Sequence, residues 1–596
     1  MRRELVDEIV VQLTPRNRFQ LFPPASDRAA WTSLGKADLE EMRRAADWAV
    51  QQELEPLGAR EYMAYARRGD GTYEQNYNRR RSRLCRLILG ECALHDGRYM
   101  DEIVGLIWAI LEESSWVLPR NNRARYAMKP VALPMVVSPD VDGASARTAS
   151  DLCWAAQLLG RELEEYTPEI ASRIRYEVNR RLFIPLLSKE RLELGAAGPV
   201  EMSGIISGAL AAALTMEHDE ERRLQLVLKC IQLIQRLLDG EPLDGRIREG
   251  VEVWEQVAGE IMDAYSLLFA ATNRRVMVYD EPEVIDMGNF LLFSHMFRDE
   301  FFCPGAQHGQ VTFDGGRVYR YALKTCDAPL ADLGAYLLHR GEAGENVGES
   351  LMNRIHTAFY KAELEKKFPR QPLPLQDFLP RSGWMMARSR ADSEQGFLIY
   401  CKGGVNEAGA RFHRDAGDFV LYYNALPVLI DIGQFESSAF HNLPSVNGAE
   451  QSTGWGFGAD EVTAQLEAEG AVISMNLARA YDRGSGALTL QRTLMLNRPG
   501  NYVRLVEAFD LSSAQNRVDF HFIFPDKPFL SGCSAVLNGV VMEWEQGLSP
   551  QLDEIRLTEP YLIHKWGESV FRLTLSVQGG ISHDQFTFVF GADGGQ

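Results

Sequence analysis

No C-x-x-C pair occurs in this sequence, and its eight cysteines, Cys85, Cys92, Cys153, Cys230, Cys303, Cys326, Cys401 and Cys533, lie far apart, most of them inside apolar runs. That spacing excludes a zinc ribbon or a disulfide scaffold and reads as reduced thiols in the core of a cytoplasmic protein. A basic stripe is also missing. With 63 Lys and Arg against 82 Asp and Glu the formal net charge is −19, so nucleic acid is not an expected partner, and an anionic ligand would need a local basic pocket. The opening "MRRELVDEIVVQLTPRNRF" has neither a sustained apolar run nor a small-residue cleavage site, so it does not read as a signal peptide. No stretch is expected to reach membrane-span length. Composition imposes no limit on folding: 45% hydrophobic and 24% charged residues are the balance of an ordinary soluble protein. The 596 residues exceed what one core organises, which predicts two or more domains.

Helical periodicity fills the first two thirds. In "EIASRIRYEVNRRL" the residues Ile170, Ile174, Val178 and Leu182 recur every four positions, and Thr167 followed by Pro168 predicts an N-cap and first helical residue. "ERRLQLVLKCIQLIQRLLDG" sets Leu224, Val227, Leu228, Ile231, Ile234 and Leu238 on one side and ends at Gly240, a C′ glycine by pattern. "MDEIVGLIWAILEES" repeats the stripe with Ile103, Ile107, Ile110 and Leu111. Helices of similar length with short links predict antiparallel helix pairs. After about residue 380 the period falls to two, as in "RVDFHFIFPD", where Val518, Phe520, Phe522 and Phe524 alternate with Asp519, His521 and Ile523. The expected architecture is multidomain, α then β: a helical domain over 1–380 and an antiparallel β-sandwich over 381–596, with the Pro-rich "QPLPLQDFLPRSG" (371–383) as the link.

Five segments in order, "ILEESSWVLP" (110–119), "RIRYEVNRRLFIPLL" (173–187), "DGEPLDGRIREGVEVW" (239–254), "RDAGDFVLYYNALPVLIDIG" (414–433) and "SAFHNLPSVNGAEQ" (438–451), give the chain a resemblance to the heparinase II/III family of polysaccharide lyases. The resemblance implies an incomplete (α/α) toroid before the sandwich. It also implies β-elimination on uronate-containing oligosaccharides or polysaccharides, with a homodimer as an assembly state. Elimination needs a group that neutralises the uronate carboxylate, a base for the neighbouring proton and an acid for the leaving oxygen. The family's D-G-G-x-x-E-G-x-x-Y-W run corresponds to Glu249, Gly250, Val253 and Trp254, so valine stands where the family has its phenol. The N-N-W-N helix start corresponds to Glu201, Met202, Ser203 and Gly204, and the H-N-H-N-D signature to Arg411, Phe412, His413, Arg414 and Asp415. The first, catalytic histidine is Arg411 here.

By the same resemblance His413, Asp431 and His441 hold a structural zinc ion. Two imidazoles and a carboxylate suit that ion. Read as residues alone, the three fit polar groups at strand ends better than any short metal motif. Arg411 is a clamp for a sugar carboxylate or a solvated loop arginine. Glu249, Trp254 and Trp116 are sugar contacts, or, for the tryptophans, core. Two functions are therefore expected: a lyase with weakened or lost catalysis, and a carbohydrate-binding or regulatory protein on the lyase scaffold. Glycoside hydrolysis, a third, would require two opposed carboxylates.

Overall fold

A computed structural model describes the chain except residues 55, 70, 123–132, 189–196, 242–243, 305–310, 341–349, 407–412, 434–436, 513–515, 578–579 and 594–596. Helices dominate to Leu364, and antiparallel sheets follow from Gln376. The fold divides into two units. One takes in Met1–Glu241, Val253–Gly288 and Phe313–Arg370; the other takes in Pro242–Glu252, Asn289–Thr312 and Gln371–Gln596. The Pro-rich stretch read as a link carries a strand, Gln376–Leu379, and lies inside the second unit. Two pieces of the chain's helical part also belong to that unit, which periodicity could not reveal because a period reports which face is buried and not which unit buries it.

In the first unit the helix Pro168–Val178 begins on Pro168, whose fixed φ suits the first turn. Thr167 is extended but does not cap: its hydroxyl bonds the Glu169 carboxylate at 2.7 Å. Ile170, Ile174, Val178 and Leu182 are all buried, and the helix widens into a π turn over Asn179–Phe183. In the helix Glu220–Gly240, Asp219 caps the Arg222 amide at 2.8 Å. Gly240 is its last helical residue and the chain leaves through an extended Glu241, so the expected left-handed C′ glycine is not formed. The buried stripe runs through Leu226, Val227, Cys230, Ile231, Ile234 and Leu238, with Leu224 and Leu228 only half-buried.

The helix Pro199–Met216 corrects another expectation. By length and composition it could cross a membrane, yet most of it is buried within the protein. Its small residues allow close packing on the helix Gly143–Leu158: a Cβ on Gly208 would stand 2.5 Å from the Ala146 carbonyl carbon, and one on Gly204 would meet Gly143 Cα at 3.0 Å. Only glycine lets the two backbones approach so nearly. Several buried charges in this unit are paired. Arg81 grips Glu113 at 2.5 and 2.8 Å, while Asp263 takes Arg317 at 2.8 Å and Arg320 at 2.6 Å, as burial of ions demands.

The second unit holds three larger antiparallel sheets. Eight strands run from Phe529–Ser531 at one edge, through the long neighbours Tyr502–Leu511 and Ala487–Asn497, to Asp460–Leu466 at the other. A four-stranded sheet contains Val518–Phe524, and a five-stranded sheet runs from Gln376–Leu379 to Leu426–Leu429. The Ile430 amide donates to Ile523 O at 3.0 Å and joins the two smaller sheets. Phe520 and Phe522 pack edge-on to Phe588 at 5.2 and 5.0 Å, and Phe419 meets Phe590 at 6.4 Å, so both smaller sheets share one core with the large one. Each such side chain contributes about 1.5–3 kcal/mol on burial. Val518–Phe524 alternates in sequence yet is buried at every position, because Ile523 faces a second cluster with Ile430, Ile432 and Leu562.

Candidate metal centre

Two loops and a strand end of the second unit converge on His413, Asp415, Asp431 and His441, whose potential ligand atoms all lie within 4.8 Å of one another. The two imidazole rings stand 5.4 Å apart at 47°. His441 Nδ1 is 3.5 Å from Asp418 Oδ2 and 3.8 Å from Asp431 Oδ1. Asp431 follows the strand Leu426–Leu429, and its Oδ1 accepts the Gly433 amide at 2.8 Å. His441 closes a short 3-10 turn, Ser438–Phe440. Beside it Asn442 bonds Phe419 O at 2.7 Å, Ile430 O at 3.1 Å and the Ile523 amide at 2.8 Å, which fixes this turn to both smaller sheets. The 413–415 segment is held by Asn406, whose Oδ1 accepts the Asp415 and Ala416 amides at 3.2 and 2.9 Å.

Charge explains what the cluster requires. Burial lowers the His441 pKa, but the hydrogen bond to Asp418 and the charges of Asp431, Asp418 and Asp415 outweigh it and raise the imidazole to about 9. The pocket therefore stabilises a cation at that position. Burial lowers the His413 pKa and keeps that ring in the neutral form that ligates metals. Burial raises the Asp415 pKa, yet the ion pair with Lys402 and the neighbouring imidazoles bring it down to about 2. Burial raises the Asp418 carboxyl. Two buried atoms within the cluster, His413 Nδ1 and Asp431 Oδ2, have no hydrogen-bond partner among the described residues, which is costly unless something else occupies them. Imidazole nitrogen and carboxylate oxygen donors suit zinc, and these residues fit such an ion.

Asp415 in the cluster and Asp418 beside His441 were not foreseen, although both stand in the "RDAGDF" stretch. Behind them Arg492, 1% exposed, donates from Nη1 to the Gly417 and Asn442 carbonyls at 2.5 and 2.8 Å, and pairs with Glu507 through Nε at 2.8 Å.

The expected sugar contacts are placed differently. Arg411 lies outside the described residues. Trp254 is 0% exposed, its N–H donates to Met287 O at 2.8 Å, and Tyr321 packs on it at 5.0 Å. Trp116 is 1% exposed, donates to Ile110 O at 2.9 Å and lies under the Arg181 guanidinium at 4.6 Å. Neither indole offers a sugar an open face here; both fill core. Glu249 is half-buried and belongs to the second unit, whereas Trp254 belongs to the first. Val253 ends a short 3-10 turn, and Met202 is buried in the helix Pro199–Met216.

Solved structures with the same course of chain include a heparinase III (TM-score 0.60, 12% identity, covering 98% of this chain and 92% of that one). A heparan sulfate lyase from Pedobacter heparinus matches over 100% of this chain and 94% of its own at TM-score 0.58 and 12% identity. The fold is that of the polysaccharide lyases. A chondroitin AC lyase from Streptomyces coelicolor A3, solved with chondroitin sulphate, extends the likeness (TM-score 0.53, 10% identity, 99% and 83% covered). No protein-family model matches the chain, and no curated protein matches its sequence. At these identities the likeness describes the scaffold and leaves the chemistry to the residues.

Proposed function

We propose that this polysaccharide-lyase scaffold engages uronate-containing glycans and that β-elimination on it is slow or absent. The observation that carries the reading is the cluster of His413, Asp415, Asp431 and His441, present on a lyase fold while Val253 and Arg411 stand at the family's tyrosine and histidine positions and Met202 in the run that supplies its carboxylate-neutralising asparagine. Valine and methionine carry no titratable group, and arginine stays protonated. Arg411 would neutralise a uronate carboxylate but could not remove its neighbouring proton. The first unit, with its paired helices, we take as the incomplete toroid of the family. His413, Asp431 and His441, with Asp415 beside them, would hold zinc, which when bound would compensate the carboxylates and cross-link the loops. Its role is structural in this reading.

The test is incubation of the purified protein with a panel of uronate oligosaccharides, following the ultraviolet absorbance of unsaturated products alongside binding by calorimetry. Binding without product is expected, and Val253→Tyr combined with Arg411→His should raise elimination above background. Rapid product formation by the unmodified protein would overturn the loss of catalysis. Absence of binding to every uronate glycan would overturn the ligand class.

A further inference from the structure

Ser445, His521 and Thr574 stand in a row across three neighbouring strands of the four-stranded sheet, Pro444–Val446, Val518–Phe524 and Ser569–Val577. Register puts them there. Ser445 lies opposite Asp519 and His521 opposite Thr574, and alternation turns all four to the face away from the core that holds Phe520 and Phe522. His521 Nε2 is 3.1 Å from Ser445 Oγ, and its Nδ1 is 3.1 Å from Thr574 Oγ1.

The row opens on a cavity of about 370 Å³ whose wall includes Ser445, His521, Gly448, Arg517 and Asp519. Ser445 is half-buried there, while His521 is 9% exposed, so the hydroxyl faces the cavity and the ring behind it is shielded. Among the described residues the Ser445 hydroxyl bonds this imidazole alone. The charges of the wall are paired with one another or with the protein: Arg517 Nε donates to Asp519 Oδ1 at 3.0 Å, and Glu450 takes Arg414 at 3.1 Å and the Ser437 hydroxyl at 2.6 Å. Burial, with Arg572 nearby, keeps His521 neutral and able to accept a proton. Asn447 and Gly448, at φ 55° and 71°, turn the chain after the serine, and the Gly448 amide donates to no described group.

We propose that Ser445 and His521 form a nucleophile and base that hydrolyse short-chain acyl esters of polar alcohols. A serine nucleophile needs a base within hydrogen-bond reach, and the base needs an orienting partner. With Nδ1–H donating to Thr574, Nε2 is left to take the serine proton. That proton passes to Nε2 as Oγ bonds the ester carbonyl carbon, and the Gly448 amide is the candidate donor to the oxyanion. The carbon–oxygen bond to the alcohol then breaks, and the departing alkoxide takes the proton from Nε2, leaving acyl-Ser445. Water attacks the acyl carbon and gives its proton to Nε2; collapse frees the acid and returns the proton to Oγ. Of the side chains described on the wall only that of Ala439 is apolar, which suits a short acyl chain and a polar alcohol. The inference is independent of the glycan reading.

Reaction with a fluorophosphonate, read by mass spectrometry, and hydrolysis of p-nitrophenyl acetate and p-nitrophenyl octanoate test it. So weakly basic a ring makes turnover slow, and the adduct, which needs a single event, is the more sensitive readout. The unmodified protein should carry the adduct on Ser445 and hydrolyse the acetate faster than the octanoate. Ser445→Ala should lose the adduct and all hydrolysis above that of buffer. His521→Gln should lower kcat about 100-fold or more, the scale of a general base. Thr574→Val keeps the imidazole but not its orienting acceptor, and should lower kcat with KM unchanged even if His521→Gln proves unfolded in a thermal melt. Ser531→Ala, at an exposed serine of the eight-stranded sheet, should change nothing. No adduct on Ser445, or hydrolysis that survives Ser445→Ala, would overturn the nucleophile. Unchanged kcat in Thr574→Val and in folded His521→Gln would overturn the base, and faster hydrolysis of the octanoate would overturn the short-chain class. Uronate binding, read by calorimetry, stands or falls apart from all of these.

Discussion

Arg492→Met isolates the brace behind the candidate metal centre. The change removes a fully buried guanidinium and leaves the Glu507 carboxylate, 4% exposed, without its partner and the Gly417 and Asn442 carbonyls without a donor. Breaking one side of a buried ion pair costs about 3–5 kcal/mol, which for a unit of this size lowers Tm by on the order of 10 °C. The sign of the pH dependence follows from Glu507, whose carboxyl burial already pushes up while Arg492 holds it down. Without the guanidinium its folded pKa rises further above the unfolded value. The deficit is therefore largest at neutral pH and shrinks as pH falls toward about 4.3. Arg492→Met with Glu507→Leu removes the orphaned charge and should recover most of the loss, leaving the two carbonyls at about 1 kcal/mol or more each. Gly417 and Asn442 adjoin Asp418 and His441, so zinc affinity of the single variant should fall by roughly 10–100-fold. Thermal unfolding of the three proteins at neutral and mildly acidic pH, with zinc titration, reads all of this. A single-variant deficit below about 1 kcal/mol, or a double variant less stable than the single, would refute the reasoning.

His441→Ala and Asp431→Asn should each abolish stoichiometric zinc in elemental analysis of the purified protein; retention of metal by both would rule the centre out. Gly208→Val should destabilise the first unit by roughly 3 kcal/mol, because its side chain collides with the Ala146 backbone; chemical denaturation measures it, and an unchanged midpoint would show that the helices can part. His521 is buried between the Ser445 and Thr574 hydroxyls at 3.1 Å each, and burial, with Arg572 nearby, lowers it to about 4. The unfolded chain takes up that proton first, so about 3 kcal/mol of stability should drain away between pH 6.5 and about 4. In His521→Gln, the fall in Tm over that window should be visibly shallower; an identical fall would assign the acid sensitivity elsewhere.

The order of elements was legible because period survives in sequence: Ile170, Ile174, Val178 and Leu182 share a buried face, and the strands follow where the period shortens. Val518–Phe524 shows the limit of that signal, since alternation reports two unlike faces and not whether both are covered. His413, Asp431 and His441 were nameable only through resemblance, their separations being too long for a local motif, and the structure brings them together with Asp415. Trp254 and Trp116 misled because an indole carries both a stacking face and core volume; their N–H groups are spent on backbone carbonyls. Ser445 and His521 stand far apart in sequence, and nothing local to either announces the other.

The division of the chain has a consequence for anyone who would express its halves. Reading from the first residue, the polypeptide passes into the second unit at 242, returns at 253, passes again at 289, returns at 313 and enters for the last time at 371. A ribosome finishing residue 370 has made the whole first unit, together with fragments that include the buried Ile247, Phe290, Phe293 and Phe302 and await a sheet not yet synthesised. A stop codon there would release a product with sticky apolar stubs instead of a tidy helical domain. A polypeptide beginning at 371 would lack the Asp244 clamp on Ser382. Neither half is a domain in the sense a single cut can isolate.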